Sequence, residues 1–239
     1  MLVGCASPTQ SAQPDSDALT GPWVDASTFA GARALLPWEH YRLPGKQATL
    51  YSSEPFQGRS ALKALANSSA SMLRRKLRVE PEALGVVRFS WLVESQIAQA
   101  DLGDSDADDS AVRVVLVFEG DRSKFSQRNA MLSELALLLT GEHLPYATLM
   151  YSWCQNCEKD QIITNARTDR IRTLVVEAGN LGLGHWKDYA RDIRADYLTA
   201  FGEPPGALIA IGVLTDSDNT RGHVVSWYGP IQLQRPLPQ

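Results

Sequence analysis

The sequence predicts a mainly β protein with two inserted helices, folded as a β-sandwich. Short segments with strand character recur along most of the chain, and turn-forming residues separate them. Two segments carry apolar residues at helical spacing. Helices do not alternate with strands and no glycine-rich phosphate loop occurs, which disfavours a doubly wound nucleotide-binding fold. Eight or so strands with two helices therefore indicate two packed sheets.

The strands are predicted from alternation and from β-branched runs. Residues 86–94 alternate, with valine and aromatic side chains on one face. Residues 112–119 form a near-continuous apolar run, which is typical of a central strand. The predicted strands are residues 38–43, 49–51, 86–94, 112–119, 147–153, 171–177, 207–215 and 223–228.

The two predicted helices run from Ser126 to Thr140 and from Trp186 to Phe201, and a glycine follows each one. Apolar side chains recur at three- and four-residue spacing in both, so we expect both stripes to pack into the core. The stripe of the first helix consists of Met131, Leu132, Leu135, Leu138 and Leu139, and that of the second of Tyr189, Ile193, Tyr197 and Phe201.

The composition is that of a globular protein. Of the 239 residues, 44% are apolar and 21% are charged, which allows a sizeable core in one domain. The net charge of −4 and the lack of a long basic run argue against a nucleic-acid partner. No apolar run approaches the ~18–20 residues that a membrane-spanning helix needs.

The first residues indicate where the protein is held. Leu2-Val3-Gly4-Cys5 matches the lipobox of bacterial lipoproteins, in which the cysteine is lipidated and becomes the new N-terminus. A chance cysteine is the alternative. We expect residues 1–5 to be the remnant of a lipoprotein signal, residues 6–34 a disordered tether, and residues 35–239 one domain. Ala6 after the cysteine points to the periplasmic face of the outer membrane in the cell envelope.

Cys154 and Cys157 form a Cys-x-x-Cys pair, for which a local disulfide is the favoured interpretation in an oxidising envelope. A thioredoxin-like redox site would require a following helix in an α/β fold, and residues 158–163 do not predict one. A zinc site would need two further ligands at regular spacing, which the histidines do not supply.

The acidic loop 101–109 resembles a calcium loop superficially. An EF-hand needs glycine at its sixth position and a bidentate glutamate at its twelfth, where this chain has Val112. A solvated loop is the better interpretation, except for Asp108 and Asp109, which precede the strand that carries Arg113.

Asp188, Asp192 and Asp196 recur at four-residue spacing in the second predicted helix. Stacked carboxylates destabilise an isolated helix, and Asp192 and Asp196 have no cationic neighbour at favourable spacing. We therefore expect a partner from elsewhere, such as Arg113, backbone amides or a cation. A structural salt bridge is the simplest arrangement.

Asp216, Asp218 and Asn219 follow the strand 207–215. Carboxylates at alternate positions plus an amide offer the hard oxygens that calcium prefers, although a plain turn also explains these residue types. No cofactor is required by the sequence, and calcium is the cation to consider. We expect one polar cluster at a rim of the sandwich, with Asp216 and Asp218 as metal ligands and the remaining members Asp109, Arg113, Asp192, Asp196 and Asn219.

Several segments together resemble a known family. They include residues 68–71, Trp91 on its strand, Asp108-Asp109 with Arg113, residues 151–153, residues 191–202 and residues 216–220. In this order they are similar to the bacterial domain-of-unknown-function family numbered three-zero-four-seven, over approximately Trp38 to the C-terminus. The resemblance implies an envelope-associated, galactose-binding-like jelly roll and no established activity. The family usually has Trp-x-Trp where this chain has Phe89-Ser90-Trp91.

Two functions follow as expectations. The first is a non-catalytic module that binds carbohydrate or cell-wall glycan, with Trp91 among the ligand-binding residues and no catalytic residue; it rests on fold-level analogy. The second is a glycan hydrolase or lyase that uses two carboxylates among Asp109, Asp192, Asp196, Asp216 and Asp218. An open cleft with two carboxylates ~5–9.5 Å apart would favour the enzyme, whereas carboxylates sealed against Arg113 would favour a scaffold role.

Overall fold

The computed structural model describes residues 28–30, 35 and 38–236, and it shows thirteen strands and two α-helices among them. The strands are β1 Glu39–Arg42, β2 Leu50–Phe56, β3 Arg59–Asn67, β4 Ala70–Val79, β5 Val86–Val93, β6 Ser110–Phe118, β7 Ala147–Cys154, β8 Ile162–Thr164, β9 Ile171–Ala178, β10 Lys187–Asp192, β11 Leu208–Asp216, β12 His223–Tyr228 and β13 Gln232–Gln234. The helices are α1 Gln127–Thr140 and α2 Ile193–Phe201.

The strands form two sheets that share one apolar core. The seven-stranded sheet has the order β1-β4-β11-β6-β7-β9-β8. The six-stranded sheet has the order β10-β5-β12-β3-β2, with β13 also paired to β5. The described strands pair antiparallel except for β7 and β9, which are parallel. The chain crosses repeatedly between the sheets, as in a jelly roll, and the predicted β-sandwich with two helices is confirmed.

The core lies between the sheets and is rich in aromatic rings. All nine residues of β6 are buried, as expected for the predicted central strand. Trp91 of β5 is fully buried, and its ring centroid lies 5.0 Å from that of Tyr189 on the neighbouring strand. Tyr151, also fully buried, stacks on Phe89 at 5.4 Å.

The second predicted helix is wrong over its first half. Residues 187–192 form β10, which pairs antiparallel with β5 in a register that places Tyr189 opposite Phe89. Alternate side chains of β10 are exposed, as in a strand. Residues spaced four apart lie on one side of a strand as well as of a helix, so the spacing of Tyr189 and Ile193 did not distinguish the two. The helix starts only at Ile193, where the Asp192 carboxylate accepts hydrogen bonds from the backbone amides of Arg194 and Ala195.

The first helix is placed correctly, but the expected burial of its apolar stripe is wrong. Ser126 caps its N-terminus and Gly141, with a positive φ of 75°, ends it. Its buried side chains are Asn129 and Ser133. The exposed fractions of the apolar side chains are 66% for Met131, 49% for Leu135, 82% for Leu138 and 61% for Leu139.

Strands β3, β4, β8 and β13 were not predicted. Phe29, which falls within the predicted tether 6–34, is buried and packs against Trp38 with ring centroids 5.5 Å apart. Cys5 and the rest of the predicted lipobox lie outside the described residues. Neither described helix is long and apolar enough to cross a membrane.

Candidate functional site

A buried arginine organises the polar end of the sandwich. Arg113 is 4% exposed and donates hydrogen bonds to the carboxylates of Asp216 and Asp108, each at a distance of 2.5 Å. Burial alone would lower the pKa of Arg113, but the attraction of the two carboxylates outweighs it and raises the pKa. The arginine thus ties β6 to β11 and to the end of the 101–109 loop.

Asp216 is held in an environment that favours its neutral form. The backbone amide of Ser110 donates to its Oδ1 over 3.1 Å, and Arg113 donates to its Oδ2. Burial raises the pKa of Asp216 to about 7. Arg113 offsets part of this effect, whereas the hydrogen bond and charge of Asp109 add to it.

Asp109 fixes the turn after β11. Its carboxylate accepts hydrogen bonds from the backbone amides of Asn219 and Thr220, at 3.1 and 2.8 Å, and from the Thr220 hydroxyl at 2.5 Å. Burial would raise the pKa of Asp109, but these hydrogen bonds lower it below its ordinary value. The side-chain amide of Asn219 donates to the carbonyl of Ser105 over 2.9 Å, which holds the acidic loop against the same turn.

Three carboxylates at this end could hold a cation. Asp109, Asp216 and Asp218 each offer an oxygen, and these oxygens lie within 4.8 Å of one another. Carboxylate oxygens suit calcium, which takes six to eight of them. Each of the three carboxylates already has a protein partner: those of Asp109 and Asp216 are described above, and Asp218 pairs with Lys46. A cation would therefore compete with Lys46 and with the donors described above.

The expected single cluster divides into two. The carboxylate of Asp196 pairs with Arg191 at 2.7 and 2.9 Å and accepts a hydrogen bond from the hydroxyl of Tyr151 at 3.0 Å. Asp192 caps α2. Neither residue contacts Arg113 in the structure, so the expectation that they share its site is wrong. The error follows from the helix assignment, because Arg191 on β10 reaches Asp196 across the strand-to-helix turn.

Trp91 does not belong to the expected site either. It is buried between the sheets, so the expectation that it contributes to a ligand-binding surface is wrong. Its position follows from the alternation of β5, which directs Phe89 and Trp91 to the same, inner face.

Other aromatic residues lie on the outer face of the six-stranded sheet. We call Phe56, Trp186 and Trp227 the aromatic platform. Phe56 and Trp227 stack in parallel, with centroids 3.8 Å apart and planes inclined by 2°. Leu92 and Ala61 lie beneath them on neighbouring strands.

Charged side chains surround the platform. The guanidinium of Arg59 lies 5.0 Å from the ring centroid of Trp186 and pairs with Asp188 at 2.6 and 3.0 Å. The ammonium of Lys63 lies 5.2 Å from the ring centroid of Trp227. The surface thus combines apolar ring faces with hydrogen-bonding groups that can rearrange, because long basic side chains cover apolar surface while their charges remain in water.

The platform could have been found from the sequence by one signal. Trp227 and Tyr228 are adjacent in a strand, and adjacent side chains point to opposite faces of a sheet. Tyr228 is fully buried in the core, so Trp227 points to the outer face of the sheet, where the stacked Phe56 covers it and leaves it 4% exposed.

Cys154 and Cys157 are bonded to one another at the end of β7. Cys154 is buried against Leu102 and Val175, and no helix follows the pair.

An open cleft of about 390 Å³ lies at the Phe118 end of β6 and is lined by Glu119, Asp121 and Tyr146 among others. Both of its carboxylates have partners within the protein. Glu119 pairs with Arg78 at 2.8 Å, and Asp121 accepts hydrogen bonds from the amide and hydroxyl of Ser123.

Residues 36–232 match the family described as "Protein of unknown function (DUF3047)". No curated protein matches the sequence.

Three solved structures resemble parts of the fold at low similarity. The glycoside hydrolase domain of Endo-D from Streptococcus pneumoniae R6 has 9% identity and a TM-score of 0.35, and the match covers 82% of this chain but only 21% of that one. A mutant of the family 29 carbohydrate-binding module CBM29-2, complexed with cellulohexaose, has 9% identity and a TM-score of 0.33, with 88% and 89% of the two chains covered. The non-crystalline-cellulose-specific module CBM28 has 10% identity and a TM-score of 0.37, with 89% and 94% covered.

Proposed function

The chain belongs to the DUF3047 family, whose description names no activity, and on that premise we propose that it is a non-catalytic module that binds glycans on the aromatic platform. The observation that carries the proposal is the presence of two half-buried aromatic rings, Phe56 and Trp186, on the outer face of a sheet, with Phe56 stacked on the buried ring of Trp227.

The chemistry of the platform suits a sugar ring. The faces of pyranose rings present C–H groups, which pack favourably against the electron-rich faces of aromatic side chains. Phe56 and Trp186 are half-buried, so part of each ring is accessible. Arg59, Lys63 and Asp188 at the margin can donate or accept hydrogen bonds with sugar hydroxyls. Such a combination of apolar surface and a few polar groups is typical of small-ligand sites.

The carboxylates support a binding role rather than the hydrolase or lyase alternative. Asp216 and Asp109 are 8% and 1% exposed, and Asp216 is sealed against Arg113. A glycosidase needs one carboxyl group that reaches the scissile oxygen and another that reaches the sugar or a water. Carboxylates that are sealed against Arg113, rather than open to a cleft, favour a scaffold role for this cluster.

A glycan array with and without calcium tests the proposal, followed by titration calorimetry on the ligands found. We expect Phe56→Ala and Trp186→Ala to weaken binding about 5-fold or more, since the loss of ~1 kcal/mol of stacking at a binding site corresponds to that factor. Phe125→Ala is the matched control, because Phe125 is a half-buried phenylalanine stacked on Tyr146 at 5.8 Å, away from the platform. No bound glycan, or equal loss in the control, would contradict the platform. Release of new reducing ends from a bound glycan would contradict the non-catalytic role.

We also propose that the module is held at the periplasmic face of the outer membrane by lipid on Cys5. Support comes from Leu2-Val3-Gly4-Cys5 and from the small Ala6 that follows it. Mass spectrometry of the N-terminus of the protein expressed from its natural gene provides the test. A diacylglycerol-modified Cys5 is expected, and an unmodified Cys5 on a soluble protein would contradict the anchor.

A further inference from the structure

The orientation of α1 is the reverse of that of an ordinary surface helix. Its two fully buried side chains, Asn129 and Ser133, are polar, while Leu132, Ala136 and Leu137 are half-buried. The hydroxyl of Thr168 and the carboxylate of Asp169 each hydrogen-bond to Asn129, at 2.8 and 2.6 Å. Ser133 lies within hydrogen-bonding distance, 3.3 Å, of His143. The exposed side chains include four large apolar residues, Met131, Leu135, Leu138 and Leu139, which we call the α1 apolar face.

The α1 apolar face is continuous. Its residues recur at intervals of four, three and one, which places them on one side of a helix. Leu138 is 82% exposed, and the remaining three are between 49% and 66% exposed. Contiguous apolar surface of this kind marks an interaction site in a soluble protein.

The charges beside this face are mainly basic. Arg128 precedes Met131 by three positions and Leu135 by seven, so it lies on the same side of the helix, and its exposed guanidinium donates a hydrogen bond to the carbonyl of Ala166 over a distance of 3.2 Å. Arg122 and Lys124, both exposed, lie in the short 3-10 helix that leads into α1. Two acidic side chains lie nearby. Asp121 accepts hydrogen bonds from Ser123, and the carboxylate of Glu134 lies 3.9 Å from Nδ1 of His143, to one side of the α1 apolar face.

From this combination we propose that α1 docks on an anionic lipid surface. Helices that lie in the headgroup layer of a membrane combine an apolar face with lysine and arginine. Here the α1 apolar face supplies the first, and Arg122, Lys124 and Arg128 supply the basic groups at and before the start of the helix. Basic residues near such a surface attract its anionic lipids. A second copy of the chain fits less well, because four side chains are far fewer than the ~20–30 residues per partner of a stable protein interface.

Vesicle flotation tests the proposal with the full chain carrying Cys5→Ser, so that no covalent lipid contributes. We expect this protein to float with vesicles of equal parts phosphatidylglycerol and phosphatidylcholine, and to do so about 10-fold less with phosphatidylcholine alone. Leu135→Glu/Leu138→Glu should abolish flotation. Leu181→Glu is the matched control, because Leu181 is 83% exposed but lies outside α1, and it should float like the parent.

A second variant and a second measurement separate the outcomes. Arg122→Gln/Lys124→Gln/Arg128→Gln should reduce flotation and remove its dependence on salt, while thermal melts confirm that every variant is folded. No flotation of the parent, or equal flotation of Leu135→Glu/Leu138→Glu, would overturn the proposal. A dimer in light scattering that only Leu135→Glu/Leu138→Glu dissociates, without flotation, would assign the face to a second copy instead.

Discussion

The guanidinium of Arg113 lies 2.5 Å from the carboxylate of Asp216, and both side chains are almost completely buried. The pair joins two neighbouring strands at the end of the sandwich where the acidic loop and the 217–222 turn meet. Buried ion pairs of this kind are costly to break, because removal of one partner leaves the other as an unpaired charge out of water.

Arg113→Ala should therefore destabilise the protein by about 3–5 kcal/mol, since Asp216 and Asp108 would both lose their positively charged partner. Urea unfolding measures the change. Arg78→Ala is the matched control, because Arg78 also pairs with two carboxylates, those of Glu80 and Glu119, but at an exposed site. Its effect should be much smaller. A similar effect for both variants would mean that burial does not determine the strength of the Arg113 network.

The pKa of Asp216 predicts a pH-dependent stability. In the folded state this pKa is about 7, whereas an aspartate in an unfolded chain has a pKa of ~3.9. The folded state thus binds the proton more tightly, so the stabilising contribution is complete below about pH 4 and is lost as the pH rises to about 7.

The free energy of unfolding of the parent protein minus that of Asp216→Asn should accordingly fall between pH 5 and pH 8. The expected decrease is roughly 2–3 kcal/mol, because each unit of pKa shift corresponds to ~1.4 kcal/mol. Taking the difference between the two proteins largely cancels the other titrations. A difference that stays constant over this range would show that Asp216 remains ionised throughout.

Asp192→Ala should cost about 0.5–2 kcal/mol through loss of the N-cap of α2. Combined with Arg113→Ala, its effect should be additive within ~0.3–0.5 kcal/mol, because the two side chains share no partner. Thermal melts of the two single variants and the double variant supply the cycle. Coupling above 1 kcal/mol would restore the shared site that the sequence suggested.

Calcium should raise the melting temperature if Asp109, Asp216 and Asp218 accept a cation. We expect stabilisation, since carboxylates outnumber the basic groups that contact them and Lys46 is exposed enough to move aside. Asp218→Asn should remove the effect, while Asp106→Asn, in the solvated part of the acidic loop, should retain it. An unchanged melting temperature in the parent protein would leave Arg113 and Lys46 as the counter-charges of the cluster.

The parts of the fold that could be predicted are those with a strong periodic pattern. Strands β5, β6, β7, β9, β11 and β12 are rich in valine, isoleucine and aromatic residues and were found near their true bounds. Strands β3 and β4 were missed because alanine, leucine, lysine and arginine dominate them, and these residues favour helices in isolation. Pairing within the sheets overrides that preference.

The residues of the candidate site that lie at the ends of strands could be predicted from the sequence. Those whose partners depend on the boundary between β10 and α2 could not. Arg113, Asp109 and Asp216 stand at the ends or early positions of well-predicted strands, and the structure brings them together. Asp196 was misassigned because its partner, Arg191, was assumed to be helical. Trp227 was missed because it is buried like the adjacent Tyr228 and differs from it only in pointing to the outer face of the sheet.

The inverted packing of α1 has a consequence for how the molecule opens. No apolar side chain of α1 is fully buried and four of them are exposed, so the helix gains little from the cooperative core. Its opening should therefore require far less free energy than unfolding of the sandwich. In hydrogen exchange, the amides of residues 127–140 should exchange through local opening and remain unaffected by Arg113→Ala, whereas those of β6 should exchange with global unfolding and respond fully. The sandwich and α1 would then behave as separate cooperative units, with the helix free to detach or reorient while the sheets stay intact.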